Sequence, residues 1–362
     1  MKIYLDNIIF SLQSAGGISV YWFELVKRIL KDPEFAASFI ESPSNNMFRN
    51  RLEITPEMIL RTPTDSFPIK IQRYLNPGTT QAKGIFHSSY YRVHRNPGMM
   101  NVTSVHDFTY EYFRSGLAKT VHQWQKGNAI KKAKRIICVS ENTKMDLLKF
   151  YPEISEKSIS VVYNGVDEVY APLDVKDESK LKEIIPFSSG EFVLFIGDRK
   201  SRHKNFAALT EACKISKKPL LMVGGGKLSQ LENEFLVRTL GNLHFKQMGG
   251  IDNDLLNRIY NHALCMVYPS LYEGFGIPVV EAQKAGCPVI SAFCSSIPEV
   301  AGQGAILINN ISALKIAEAI SQLDSDSSLV GNLRSAGFVN AQRFSWDKCY
   351  LQTKDVYKEI GQ

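Results

Sequence analysis

Residues 268–286 read YPSLYEGFGIPVVEAQKAG. The apolar run at 263–268 leads into a Gly-Phe-Gly turn at 274–276, and Pro278 follows. Proline suits the first turn of a helix, where its fixed φ is already helical and its missing N–H costs nothing. The segment therefore predicts strand, turn and helix N-terminus in succession. A helix N-terminus presents unpaired N–H groups and roughly half a positive charge, which makes it an anion site. Two glutamates, Glu273 and Glu281, have seven residues between them. Glu281 falls about one turn into the helix, and helical side chains lean back toward the N-terminus. Glu273 falls on the loop before it. One carboxylate can then stand on each side of a bound phosphate group. Carboxylates accept hydrogen bonds from sugar and ribose hydroxyls. A ligand with phosphate in the middle and hydroxyl-rich rings at both ends is a nucleotide sugar. The plain alternative is an ordinary strand–helix loop with two solvated glutamates.

Outward from this segment, apolar runs alternate with amphipathic helical patterns. Strands are expected at 3–10, 84–87, 102–106, 135–139 and 160–163, then at 192–196, 220–223, 243–245, 263–268 and 288–291. Helices are expected between them, at 20–31, 142–150, 205–215, 253–262 and 313–323. Continuous apolar strands separated by helices mean parallel sheets covered on both faces. Two such sets imply an α/β protein of two doubly wound, Rossmann-like domains. The boundary falls in 167–191, which carries two prolines, many charges and a Ser-Ser-Gly turn. Residues 346–360 place Trp346, Tyr350, Val356, Tyr357 and Ile360 near helical spacing. Residues 41–80 are irregular and read as a loop or as short helices.

The strand at 192–196 runs into GDRKSRHKNF, which puts Arg199, Arg202 and Lys204 at a strand's carboxyl end, where open α/β sheets bind ligands. Gly16 and Gly17 follow the first strand, and Gly224-Gly225-Gly226 follow another. Such turns let backbone approach a phosphate closely, although neither matches a GxGxxG or P-loop pattern. His106 and Asp107 end the strand NVTSVHD. His87, Tyr90 and Tyr91 in FHSSYY end another and are candidates on the acceptor side.

The paired glutamates, the Gly16-Gly17 turn, His106-Asp107, SENT at 140–143, NGVD at 164–167, Lys204-Asn205 and IPEVAG at 297–302 come in one order along nearly the whole chain. Together they resemble the family-4 retaining glycosyltransferases (glycosyl transferases group 1), which have the GT-B fold. The resemblance implies two Rossmann-like domains facing across a cleft. Residues 1–170, joined by a returning last helix at about 343–362, would form the acceptor-side domain, and 171–342 the nucleotide-sugar domain. It implies that Lys204 and one arginine of its loop contact the donor diphosphate. Arg199 is preferred over Arg202 in a loop that is one residue longer than the family's. His106 would contact the donor sugar or help set up transfer, and Asp107 would orient His106 or the acceptor. Glu281 would bind the ribose. Glu273, with the backbone of Phe275, Gly276 and Ile277, would contact the donor sugar. Ser295, Ser296 and Glu299 would line the nucleotide pocket, and Gly16 and Gly17 would approach the donor. The implied reaction moves a sugar to an acceptor hydroxyl with retention by front-face attack. The acceptor would be a glycan or lipid-linked glycan, as in O-antigen or capsule-like surface polysaccharide. Two rivals share these residues: a nucleotide-sugar 2-epimerase on the same fold, and a non-catalytic nucleotide-sugar-binding protein.

Asp252-Asn253-Asp254 has the form of a metal-binding DxD but opens an amphipathic stretch, as a helix cap does. Asp324-Ser325-Asp326 lies in a polar loop. With no His/carboxylate cluster, no metal or other cofactor is expected. The chain has 362 residues, 44% hydrophobic and 22% charged, as a soluble globular protein has. No stretch approaches the ~20 apolar residues that cross a bilayer, and Asp6 inside the first apolar run makes it a strand rather than a signal peptide. Six cysteines without CxxC or metal spacing read as reduced core residues of a cytoplasmic protein. Net charge is +7, and residues 1–170 hold 22 Lys+Arg against 16 Asp+Glu. Lys119, Lys126, Lys131, Lys132, Lys134 and Arg135 crowd a stretch that also holds Trp124. It reads as a solvated helix face or as a contact for anionic lipid on the inner face of a membrane. Nucleic acid is excluded as a partner: there is no zinc-finger spacing, no RNP-like aromatic signature and no basic arm.

Overall fold

Both halves of the chain turn their apolar runs into parallel strands. The computed structural model describes residues 1–78, 83–174 and 182–361. The chain divides into two units, Met1–Gly165 with Trp346–Gln362, and Val166–Ser345. Residues 79–82 of the irregular stretch and 175–181 of the expected boundary lie outside the described residues.

In the first unit the strands are β1 (Lys2–Asp6), β2 (Ala36–Ile40), β3 (Gly84–Ser88), β4 (Met99–Val105), β5 (Arg135–Cys138) and β6 (Ile159–Val161). They form one parallel sheet in the order β2-β1-β3-β4-β5-β6. The second unit has β7 (Val193–Ile196), β8 (Leu220–Val223), β9 (Phe245–Met248), β10 (Cys265–Tyr268), β11 (Val289–Ala292) and β12 (Ala305–Ile308). Their order is β12-β11-β10-β7-β8-β9. β8, β10 and β11 are buried at every position, as strands covered by helices on both faces must be. Behind this sheet, Val193, Phe195, Leu220, Met222 and Ile290 pack with Leu209 and Cys213 of helix Phe206–Ser216 and with Ile316 and Ile320 of helix Ala313–Ser325.

Three departures from the sequence reading have physical causes. The strand expected at 3–10 stops at Asp6, and Ile8–Leu12 is helical, with Ile8, Ile9 and Phe10 buried. A continuous apolar run does not distinguish a buried strand from a buried helix. The strands β2 and β12 were not expected, and β9 was placed at 243–245. All three are sheet edges, partly exposed along their length, so their apolar signal is weak. The basic stretch read as a solvated helix face is the helix Gly116–Lys132, but its buried positions include His122, Gln125 and Lys126, which no hydrophobic periodicity reports.

The last helix, Trp346–Gly361, buries Trp346, Tyr350, Val356, Tyr357 and Ile360. It returns to the first unit, where Asp347 pairs with Arg28, and Lys354 and Tyr350 bond to Asp32.

Candidate active site

Strand order in the second sheet reverses between β7 and β10. At such a point the loops leaving two neighbouring parallel strands part to opposite faces and leave a crevice at their carboxyl ends. β7 leads into the loop with Lys204, and β10 into the loop with Glu273. The two side chains meet there: Lys204 Nζ lies 2.5 Å from Glu273 Oε1 across 69 residues of sequence. Tyr268, the last residue of β10, adds its hydroxyl at 3.1 Å from the same ammonium. Burial alone would lower the Lys204 pKa, but Glu273 and the Tyr268 hydroxyl outweigh it and raise the value. The lysine stays charged. Asn205 ends its turn in the left-handed region, at φ 52°, which asparagine tolerates better than most residues. Helix Phe206–Ser216 then begins.

The Glu273 loop is pinned from behind. The Glu273 N–H donates to Ser295 Oγ at 2.9 Å. Ser296 Oγ donates to the carbonyls of Glu273 and Phe275, at 3.0 Å each. Ser295 and Ser296, expected as pocket lining, thus hold the loop in shape, and Phe275 is buried. Glu299 sits in the first turn of helix Ile297–Ala301. Gly276 caps helix Ile277–Lys284 at φ 99°, with Pro278 in its first turn. A Cβ at Gly276 would stand 2.8 Å from Ile297 Cδ1, so both conformation and space demand glycine there. Glu281 lies one turn in and accepts from the Tyr260 hydroxyl at 2.9 Å. Burial pushes its pKa up to about 7, against hydrogen bonds from Tyr260 and Tyr170. Tyr268, Tyr260 and Tyr170 escaped the sequence reading. A tyrosine ending a buried strand is a visible signal for the first, whereas the other two reach Glu281 only through tertiary packing.

Arg199 takes a different place from the one expected. Its guanidinium donates to the carbonyls of Gly224, Gly225 and Gly226, at 2.6, 3.3 and 2.9 Å. It also pairs with Glu232 at 3.3 Å. Those three glycines have φ of 90°, 68° and 71°, which turns their carbonyls toward the arginine. A Cβ at Gly225 would fall 2.7 Å from the guanidinium. Arg199 is thus buried within its own unit as a clamp on the glycine loop, while Arg202 of the same loop is exposed. Replacing Arg199 by methionine removes the donor that three glycine carbonyls share and leaves Glu232 without its buried cation. The melting temperature is expected to fall by about 5–10 °C, whereas Arg202→Met leaves it within about 1 °C; thermal melts of the two variants check this.

His106 and Asp107 follow β4 in the first unit. The His106 ring meets Tyr21 edge-on, with centroids 4.9 Å apart. Burial, reinforced by Lys126 and opposed by Asp107, lowers its pKa to about 4, which favours a neutral imidazole with one donor and one acceptor nitrogen. Burial alone would raise the Asp107 pKa, but Lys126 and the Thr109 N–H, 2.9 Å away, bring it below the usual carboxylate value. Lys126 is not on a solvated face. It is fully buried, and Nζ donates to the Asp107 carbonyl at 2.8 Å and to Glu111 at 2.9 Å. His87 does not line a surface either: its ring nitrogens bond to the Tyr357 and Ser104 hydroxyls at 2.6 and 2.9 Å, and it has no exposed area. Tyr91 is buried, while Tyr90 is partly exposed under the Arg73 guanidinium. Gly16 and Gly17 begin helix Gly17–Ile29 after β1; a Cβ on Gly17 would meet nothing within 4 Å.

Asp252 caps helix Asn253–His262, accepting from the Leu255 N–H at 2.8 Å. Asp326 caps helix Ser327–Ala341 in the same way, and Asp324 pairs with Lys218. Among the described residues no group of three or more His, Cys, Asp or Glu side chains is arranged to hold a metal ion. No helix of the described residues is long and apolar enough to cross a membrane.

Two family models match the chain: Glycosyltransferase Family 4 over residues 66–169 and Glycosyl transferases group 1 over 177–338. The O-antigen chain mannosyltransferase B of Escherichia coli is 25% identical over 249 residues, which are 67% of this chain and 64% of that protein. Two solved structures share the fold over 99% of both chains. Sucrose-phosphate synthase from Thermosynechococcus elongatus superposes with a TM-score of 0.77 at 18% identity. Anabaena HepE, solved with UDP and glucose, superposes with a TM-score of 0.74 at 16% identity.

Proposed function

We propose a function on the premise that the chain is a glycosyltransferase of group 1, its first half of the family-4 kind, with the GT-B fold. It transfers a sugar from a nucleoside diphosphate sugar to an acceptor hydroxyl, with retention at the anomeric carbon and without a metal. The observation that carries this reading is the Lys204–Glu273 pair at the reversal of strand order, beside the N-terminus of helix Ile277–Lys284. A cation, a helix N-terminus and an acidic side chain converge on the place where open sheets bind nucleotides. In this reading the leaving diphosphate sits over the helix start, and Lys204 and exposed Arg202 offset the charge it gains as the bond to the sugar breaks. Glu273 turns from Lys204 to the sugar hydroxyls, and Glu281 accepts from the ribose. In the first unit, the neutral His106 beside ionised Asp107 orients hydroxyls rather than supplying charge. The E. coli relative and the UDP complex of HepE support a nucleotide-sugar donor and a glycan acceptor of the surface-polysaccharide kind.

The test is a thermal-shift screen with UDP, GDP and ADP sugars, followed by product analysis. A ligand at a hundred times its Kd stabilises by about 2.7 kcal/mol, or several degrees. The expected product keeps the donor's anomeric configuration by NMR, and the rate is unchanged in EDTA. An inverted anomer, or a rate lost in EDTA and restored by a divalent ion, would each refute its part of the reading. A donor isomer formed with no acceptor would point to an epimerase instead.

A further inference from the structure

Lys126 has no exposed area, and a lysine is almost never fully buried unless it is paired. Its partner is Glu111, with Nζ 2.9 Å from Oε2, and the two side chains are 0% and 1% exposed. Taking two charges out of water is costly. Their attraction outweighs that cost only where the remaining polar atoms are satisfied too. Glu111 Oε1 is buried with no hydrogen-bond partner among the described residues. Stability is therefore a weak reason for this pair, since two apolar side chains of similar size would serve the fold as well.

Besides meeting Glu111, the ammonium holds one turn. It donates to the Asp107 carbonyl at 2.8 Å. It stands 4.3 Å from the centroid of the Phe108 ring and 5.8 Å from that of Tyr91, and Phe108 is itself fully buried. A cation over a ring face is attracted to it. Residues 107 and 108 join β4 to helix Thr109–Phe113, and Glu111 lies in that helix. One ammonium thus ties the turn to the helix that follows it. His106 and Asp107, at the front of this turn, stay partly exposed.

Lys126 also sets the charge there. Burial would raise the Asp107 pKa, and Lys126 is the strongest influence that lowers it. The other titratable groups facing Asp107 are His106, His122, Tyr90 and Tyr91. Burial lowers the two histidines to about 4 and about 3, which favours their neutral forms. Arg73 lies over the Tyr90 ring, and Glu111 is engaged by Lys126.

We propose that Lys126 is a positioning residue of the transfer reaction: from beneath the turn it fixes the Asp107 backbone, and so aims the His106 and Asp107 side chains at the reacting sugar and acceptor hydroxyl. Lys126 itself touches neither substrate. The inference rests on the reading that His106 and Asp107 serve the transfer.

Lys126→Met strands the Glu111 carboxylate, so that variant should melt about 5–15 °C below wild type. Lys126→Met with Glu111→Met removes both charges and should melt within about 5 °C of wild type. With the UDP, GDP or ADP sugar that the protein turns over, the double variant should lose about 30–100-fold in kcat, as a displacement of about 1 Å at a reacting centre does. The donor KM should stay within about threefold. The acid limb of the kcat profile should move to higher pH, because Asp107 loses the cation that keeps it ionised. A general folding defect would instead lower kcat by one factor at every pH. His106→Ala and Asp107→Asn, measured alongside, keep the two claims apart. If both leave kcat within about threefold of wild type, the turn is not at the reacting sugar, and the inference falls with the reading beneath it. If both lose activity while the double variant keeps its kcat, or loses it with an unmoved acid limb, the inference alone is overturned.

Discussion

Replacing Lys204 by alanine lowers kcat/KM for glycosyl transfer by about 10³-fold, and most of the loss lies in kcat. The leaving diphosphate gains charge in the transition state, and a preorganised cation in a partly dry site contributes most at that moment; removing one such group costs about 10²–10³. The same change frees Glu273, whose carboxylate is 12% exposed and pairs with Lys204 at 2.5 Å. Breaking a fully buried pair costs about 3–5 kcal/mol. This one borders the crevice, so a loss of about 1–2 kcal/mol and a melting point lower by about 2–8 °C are expected. The two effects separate in a double variant. Lys204→Ala with Glu273→Gln leaves no stranded charge, so stability returns while transfer stays lost. Steady-state kinetics and thermal melts on the three variants check this. Activity within tenfold of wild type in Lys204→Ala would remove the lysine from the site.

Glu281→Gln is expected to act in opposite directions on stability and on donor binding. Burial lifts the Glu281 pKa to about 7 from an ordinary 4.5. Between these values the folded protein holds a proton that the unfolded chain has released. The contribution of Glu281 to stability therefore falls as pH rises from about 4.5 to 7 and stays low above that. Glutamine keeps the shape without the charge, so the variant should melt about 2–4 °C higher than wild type at pH 8 and show little difference near pH 5. Donor binding runs the other way. An ionised carboxylate accepts from two ribose hydroxyls, and losing a charged hydrogen bond costs about 1.5–3 kcal/mol. Nucleoside diphosphate affinity at pH 8 should fall by about 10–100-fold. In the wild type it should weaken as pH drops below 7; in the variant it should be flat. Calorimetric titration at pH 6 and 8 measures both. An affinity indifferent to the substitution at both pH values would place the ribose elsewhere.

Among the remaining residues, Arg199 shows how far a local reading reaches. Its spacing from Lys204 made it the better diphosphate ligand on paper. In the structure it is held by three carbonyls of a loop that is remote in sequence. Spacing along a chain says which side chains leave one loop, but not which of them another loop has already engaged. His87 and Lys126 teach the same lesson from the first unit, since each is polar, each was counted as accessible, and each is consumed by partners far away in sequence.

The sequence by itself determined the α/β class, the central strands of both sheets and the turn-to-helix junction between Glu273 and Glu281. Those features are local: a fully buried strand is apolar at nearly every position, proline fixes its own φ, and glycine admits a φ that other residues avoid. Tertiary structure alone decided that Lys204 and Glu273 would meet, because a reversal of strand order sets β7 beside β10. It alone decided which charges are free, which edge strands form, and that one helix turns its polar side inward. These outcomes depend on which elements become neighbours, and a chain's periodicity carries the face an element presents without the identity of what it packs against.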